Sequence, residues 1–297
     1  MGVITSIPCQ EKVPPNCGRC DWMGALLSKE PVKFGARKLY EISIPATHNS
    51  ATYNVKPTII SSIAMCQKYD ILHQLRSGVR LLDLRICDDT PDNVIMISHR
   101  FLCGSLGEVF HQIYSFIFEN KSEIIVVAIK KDWDRELSQE GYATMVQMAL
   151  NYFAGYLMTR EDLENLPVSE LVRQNKRVHF SSPGLEHTPI RTSNVAQTWS
   201  ATYSPYCKTL VKNLSAFMHD SGLRQIKIHD CYLTPSPKSV AYWSVNGTNW
   251  HKLQRNTNIQ ILSWLKRVRG KIPFNAVSVD MVDQEIIDLV ISLNSDS

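Results

Sequence analysis

From about Ala36 onward, short runs rich in β-branched residues alternate with longer stretches of helical period. The apolar runs predict strands at 40–44, 81–86, 94–98, 124–129, 177–181, 225–229 and 276–279, because a few such residues between polar breaks suit an extended chain. Apolar positions recurring at three- and four-residue intervals predict helices at 106–119, 139–158, 259–271 and 284–293. Strand-then-helix units repeated in this way argue for an α/β fold, an irregular (β/α) TIM-type barrel, in which chemistry gathers at the C-terminal strand ends. No repeat or linker divides the chain, so 34–297 is expected to form one domain behind a leader at 1–33.

Composition fits that picture. At 44% hydrophobic and 20% charged residues the chain can bury a sizeable core, and no run of eighteen apolar residues suggests a membrane span. The net charge of +4 is mild; it suits an anionic membrane surface, and no dense basic run marks a nucleic-acid partner. Eight cysteines spread over 297 residues read as mostly reduced thiols of a cytoplasmic protein rather than a disulfide framework. The leader adds a membrane signal. Met1-Gly2-Val3-Ile4-Thr5-Ser6 admits an N-myristoyl chain on Gly2, and palmitate on Cys9 would supply the second anchor that one acyl chain needs; the alternative is a plain polar leader. Cys17-Gly18-Arg19-Cys20 has half of a zinc site's spacing, but no second pair follows at finger-like distance.

Ile42-Ser43-Ile44-Pro45-Ala46-Thr47-His48 is an apolar run that ends at a proline and delivers His48 to the loop beyond, a good place for an acid–base group. The next two runs also end in polar groups: Leu81-Leu82-Asp83-Leu84-Arg85 and Ile95-Met96-Ile97-Ser98-His99. Alternation puts Asp83 and Arg85 on one face of their strand, either as a structural ion pair or as site residues. Ile129-Lys130-Lys131-Asp132 closes a buried run in charge, and the parity of Lys130 with Ala128 and Val126 decides which way it faces. Ile228-His229-Asp230-Cys231-Tyr232 and Val277-Ser278-Val279-Asp280 repeat the theme.

These segments, in this order and spacing, resemble the catalytic X region of phosphatidylinositol-specific phospholipases C, the small bacterial type in particular. The resemblance implies cleavage of phosphatidylinositol to diacylglycerol and inositol 1,2-cyclic phosphate, with His48 as general base, His99 as general acid, Asp280 orienting His48, and Arg85 gripping the phosphate. It places Asn49, Asp83 and Lys130 around the phosphate, and Asp230 and Tyr232 against the inositol ring, Tyr232 by stacking. Larger eukaryotic members hold calcium with acidic residues at the places of Arg85 and Lys130, so the resemblance implies no metal and no cofactor. This sequence departs from the bacterial pattern in having Asn49 for an aspartate, and Ser181 and Ser182 where an inositol-binding arginine is expected. Because the substrate lies in a bilayer, peripheral membrane contact is expected through Ile59, Ile60, Trp243 and Trp250, with Ile63, Met65 and Tyr242 nearby; 59–65 reads equally well as a core-facing helix. The rival functions are a calcium-dependent or glycosyl-phosphatidylinositol-directed phosphodiesterase and an inactive phosphoinositide-binding module.

Overall fold

The computed structural model describes residues 19–55, 64–88, 94–132, 135, 137–182, 188, 190, 196–197, 204–216, 224–234, 250–271 and 274–295. Its strands are β1 (Ile44–Thr47), β2 (Leu81–Cys87), β3 (Met96–His99), β4 (Phe101–Ser105), β5 (Ile125–Lys131), β6 (Val178–Ser181), β7 (Ala196–Gln197), β8 (Lys227–Asp230) and β9 (Ala276–Val279). Seven of them are parallel, in the order β6-β5-β2-β1-β9-β8-β7. That order runs round in chain sequence, as a (β/α) barrel requires, and among the described residues β6 and β7 stand at the open seam. The helices are α1 (Trp22–Lys29), α2 (Ile71–Ser77), α3 (Leu106–Glu119), α4 (Gln139–Phe153), α5 (Arg160–Asn165), α6 (Val168–Arg173), α7 (Cys207–Ala216), α8 (Trp250–Val268) and α9 (Gln284–Ser292).

The departure from a regular barrel lies at β2. β1 pairs with it only at Leu81 and Leu82, and the same edge is then taken over at Ile86 and Cys87 by antiparallel β3. The β3–β4 hairpin therefore overhangs the barrel mouth, turning at Arg100 and bulging where Cys103 falls between paired Leu102 and Gly104. Such a bulge bends and twists the ribbon. Gly104, at φ 124°, occupies a backbone region that side-chain-bearing residues avoid.

Several predicted boundaries shift. The first strand lies at Ile44–Thr47 and includes Pro45, rather than stopping before it. Ile44 and His48 donate to the β9 side, while pairing with β2 begins only at Ala46, so the donor that proline lacks falls where the ladder starts. Helix α8 begins at Trp250, well before 259, because its buried positions Gln254, Thr257 and Asn258 are polar and break the apolar period. The strands β4 and β7, and the helices α1, α2, α5, α6 and α7, carry no periodic signal long enough to be read.

Alternation along the parallel strands sorts the core. Ile44, Ala46, Leu81, Val126, Ala128, Ile228 and Ala276 form one buried cluster in the barrel interior, while Leu82, Leu84, Val127 and Ile129 face α3 and α4, and Val277 and Val279 face the α7–α8–α9 side. Each of the valines, leucines and isoleucines among them contributes roughly 1.5–3 kcal/mol of burial. The interior cluster also holds Trp22 and Met23 of α1, so the described part of the leader closes the barrel floor. Beneath it Arg80 donates to Glu123 at 2.6 Å with both side chains fully buried. Arg80 also donates to the carbonyls of Leu75, Val79 and Cys20, and Glu123 accepts from the Gly24 amide. With every charge satisfied the pair fastens α1 to the barrel; removing one partner would cost about 3–5 kcal/mol.

Candidate active site

The interior parity of five strands continues past the apolar floor into a polar side chain. Ile44 and Ala46 lead to His48, Leu81 to Asp83 and Arg85, Val126 and Ala128 to Lys130, Ile228 to Asp230, and Ala276 and Ser278 to Asp280. The barrel is apolar below and polar above because each strand changes composition at its C-terminal end while its alternation persists. Lys130 thus faces inward, settling the question its parity raised.

His48 Nδ1 lies 2.7 Å from Asp280 Oδ1, both residues buried, and His48 Nε2 lies 3.4 Å from Arg85 Nη2. A guanidinium can only donate, so Nε2 presents its lone pair and the proton sits on Nδ1, directed at Asp280. Burial, with the positive charges of Arg85, Lys130 and His99, holds the His48 imidazole well below its ordinary range. It stays neutral and ready to accept a proton. Burial pushes the Asp280 carboxyl up, while the Cys66 thiol's hydrogen bond and Arg85 pull it back. Gln254 Nε2 donates to the other oxygen, Oδ2, so the group acts as an acceptor on both sides. Asn258 donates to the carbonyls of Asp280 and Met281, and Gln67 donates to those of His48 and Val279.

Around Arg85 several buried polar atoms lack partners. Lys130 Nζ donates to Asp83 Oδ2 at 2.7 Å, but Asp83 Oδ1, Asn49 Oδ1 and Arg85 Nε are buried without a hydrogen bond. Native interiors rarely tolerate such atoms, and their grouping marks a place for a polar ligand with both donors and acceptors.

His99 stands at the hairpin tip, where its Nδ1 donates to the Ala64 carbonyl at 2.9 Å, leaving Nε2 as the nitrogen a ligand can meet. Burial first, then Arg85, lowers its pKa, opposed by the Ala64 bond. Asp132 braces the tip, accepting from the Ser98 hydroxyl and the Arg100 amide, each at 2.6 Å. Asn49, Arg100 and Met281, which directly follow His48, His99 and Asp280, have φ of 43°, 59° and 45°. Left-handed backbone costs such residues roughly 1–2 kcal/mol, and strain of this kind gathers at functional sites.

Tyr232 is buried against this cluster, its ring parallel to that of His48 with centroids 3.6 Å apart, and its hydroxyl donates to Asp230 Oδ1 at 3.0 Å. The resemblance implies that Tyr232 stacks on the inositol ring; in this structure its ring lies on His48. Ser181 and Ser182 are buried at the end of β6. Trp250 is half-buried against the core beside α7 and α9. Gly2, Cys9, Cys17, Ile59, Ile60, Ile63, Tyr242 and Trp243 lie outside the described residues. Sequence reasoning missed Cys66, Gln67, Gln254, Asn258 and the bracing role of Asp132. Only Gln254 and Asn258 left a signal: two amides four residues apart share one helix face.

Residues 42–177 match the family model of the phosphatidylinositol-specific phospholipase C X domain. A 1-phosphatidylinositol phosphodiesterase of Staphylococcus aureus is 32% identical over 117 residues, covering 37% of each chain. One of Listeria monocytogenes is 30% identical over 159 residues, 51% of this chain and 45% of the relative. The matched stretch thus spans less than half of these relatives. The fold likeness is wider. The phosphatidylinositol-specific phospholipase C from Listeria monocytogenes superposes with a TM-score of 0.68 at 18% identity, over 93% of this chain and 98% of that one. A mutant of the Staphylococcus aureus enzyme gives 0.65 at 20% identity, over 92% and 96%.

Proposed function

We propose that this chain, which carries the phosphatidylinositol-specific phospholipase C X domain at residues 42–177 and the fold of the bacterial enzymes, cleaves phosphatidylinositol as a phosphorus–oxygen lyase. Diacylglycerol and inositol 1,2-cyclic phosphate are the products. The observation that carries this reading is His48, neutral, with its proton on Nδ1 directed at Asp280 and its Nε2 lone pair beside Arg85.

In the proposed reaction Arg85 turns from His48 to the phosphate, its fork meeting the non-bridging oxygens and offsetting their growing charge. The freed Nε2 of His48 takes the proton of the inositol 2-hydroxyl, and that oxygen attacks phosphorus. Asp280 holds the imidazole and stabilises its charge, as carboxylates do behind catalytic histidines. His99 in its protonated form gives its Nε2 proton to the departing diacylglycerol oxygen. A bound phosphodiester offsets the Arg85 charge that depresses His99, so substrate itself helps to load the acid. Asn49, Asp83 and Lys130 would line the phosphate side, and Asp230 the inositol side. Asn49 cannot share a proton, so leaving-group protonation falls on His99.

The calcium-dependent reading draws on the unpaired oxygens of Asn49 and Asp83. Lys130 on Asp83 and Arg85 opposite set positive charge where that ion would need ligands, so the metal-independent reading is preferred. Peripheral membrane contact, with acylation of Gly2 and Cys9 as anchor, belongs to the same proposal; no helix among the described residues is long and apolar enough to cross a membrane.

The test is phosphorus NMR of phosphatidylinositol vesicles incubated with the protein and excess chelator. Inositol 1,2-cyclic phosphate should appear. Turnover only after calcium is restored would move the assignment to the calcium-dependent type, and none under either condition would favour the binding module.

A further inference from the structure

Cys66 exchanges no proton with substrate in the proposed reaction and only supports Asp280 by a hydrogen bond, yet its sulfur lies in the middle of the machinery. His48 Nδ1, Cys66 Sγ and a carboxylate oxygen of Asp280 all fall within 4.8 Å of one another, and all three residues are buried. A tetrahedral zinc ion with bonds of about 2.0–2.3 Å separates its ligand atoms by roughly 3.3–3.8 Å. The three atoms can enclose such an ion if the 2.7 Å His48–Asp280 contact opens and the wider separations, up to 4.8 Å, close, each by about 1 Å or less. A second observation points the same way. Asn49, 3% exposed, sets its Nδ2 3.5 Å from Cys66 Sγ, while its Oδ1 is buried without a partner. Turning the amide over gives up the 3.5 Å Nδ2–Sγ bond and brings the unpartnered oxygen toward the same centre.

We propose that His48, Cys66 and Asp280 form a binding site for a thiophilic divalent cation, zinc being the chemical fit, and that occupancy switches the enzyme off. The inhibitory half rests on the reading of His48 as base; the binding half does not. Imidazole, thiolate and carboxylate suit zinc, whereas calcium and magnesium prefer oxygen ligands only. On binding, the Cys66 thiol releases its proton to solvent, so that thiolate and carboxylate together balance the ion's two charges. His48 binds through Nδ1 and carries its remaining proton on Nε2. It then has no lone pair for the inositol hydroxyl. Its new N–H also faces Arg85 Nη2, donor against donor, which drives the guanidinium from its resting position. One ion thus disables the base and disturbs the phosphate grip.

The experiment uses the full chain in a Cys17→Ser/Cys20→Ser background, which removes the paired thiols of the leader. Cobalt(II) serves as a spectroscopic substitute for zinc, alongside zinc titration of phosphatidylinositol cleavage. One equivalent of cobalt should produce a near-ultraviolet thiolate-to-metal band, which zinc abolishes by displacement and calcium does not. Zinc should inhibit cleavage, chelator should restore it, and Cys66→Ser should raise the inhibitory midpoint by more than about tenfold. Asp280→Asn, read by the cobalt band alone, serves as the second variant should Cys66→Ser fold poorly, and should weaken the band. Absence of the band in the parent protein, or equal zinc sensitivity with and without Cys66, would overturn the proposal. A cobalt band that needs Cys66 in a protein without cleavage activity would support the site and refute the function proposed above.

Discussion

The imidazole of His48 lies flat against the ring of Tyr232, with centroids 3.6 Å apart and planes within 6°. Asp280 fixes the imidazole at its edge, through Nδ1; Tyr232 fixes it at its face. Together they leave the ring little freedom to tilt, and Nε2 points where Arg85 waits.

Tyr232→Phe keeps the stack and gives up only the bond to Asp230, so kcat should stay within about threefold. Tyr232→Leu removes the stack, and an aromatic pair worth about 0.5–1.5 kcal/mol translates into a loss of up to about tenfold in kcat. Steady-state kinetics on mixed micelles compares them; equal losses would show that the ring contact does not position the base.

His48→Ala should reduce kcat by at least about three orders of magnitude, since it removes the base outright. Asp280→Asn should fall by about two to four orders: an amide in that place can offer its own N–H to Nδ1, which favours the wrong tautomer. Circular dichroism should show both variants folded. A substantially active His48→Ala protein would end the proposed mechanism.

The pH profile follows from the shared cause of both histidine shifts. The base works when neutral, above its depressed pKa, and the acid works when protonated, below its own. The kcat/KM profile reports free-enzyme groups, so with both lowered its maximum should lie on the acidic side of 6.5. In the kcat profile the alkaline limb should move up, because bound phosphodiester offsets Arg85. In Arg85→Gln both limbs should rise, in an enzyme much slower overall. An alkaline limb at the same pH in both profiles would contradict the assignment of His99.

Stability should fall with acid, and besides the lowered His48 and His99 two groups away from the reaction contribute. His179 and His229 are buried and held at about 4 by desolvation, whereas in the unfolded chain they titrate near 6.5. A depressed pKa contributes full stability above 6.5, and stability drains away as pH falls from there through 4, because the unfolded state takes up protons first. Each would cost about 3 kcal/mol over that window. Urea unfolding at pH 7 and pH 4.5 measures it. His229→Phe, which keeps an aromatic against Phe274, should flatten the decline; an unchanged slope would exclude His229 as a source.

The strand ends were legible because a polar residue on the inward parity of an apolar run is costly unless it does something, and His48, Arg85 and Asp280 all obey that rule. The architecture was legible for a similar reason: repeated short runs of period two between helical stretches permit few arrangements. Supports such as Cys66 and Gln67 sit in an irregular loop with no period to violate, and their roles emerge only when the chain folds back on Met281 and Val279. Helix α1 was read as leader because its eight residues are too few for a periodic signal, although Trp22 and Met23 are as buried as any strand residue. The stacking of Tyr232 on His48 joins residues far apart in sequence, and no local pattern encodes it.

The base and the acid of the proposed reaction belong to different parts of the fold. His48 is clamped between β2 and β9 in the barrel wall, while His99 rides on a ribbon that leaves the wall where β1 gives out. The reach of that ribbon is governed by its curl at Cys103 and Gly104, neither of which is assigned any contact with substrate. A change there would lengthen or shorten the gap between the two histidines, and at Cys103 it would also alter the thiol's bond to the His99 backbone. On the proposed reading, the span that a scissile phosphate would have to fit is therefore an adjustable dimension of this fold, set from outside the site by the shape of one bent hairpin.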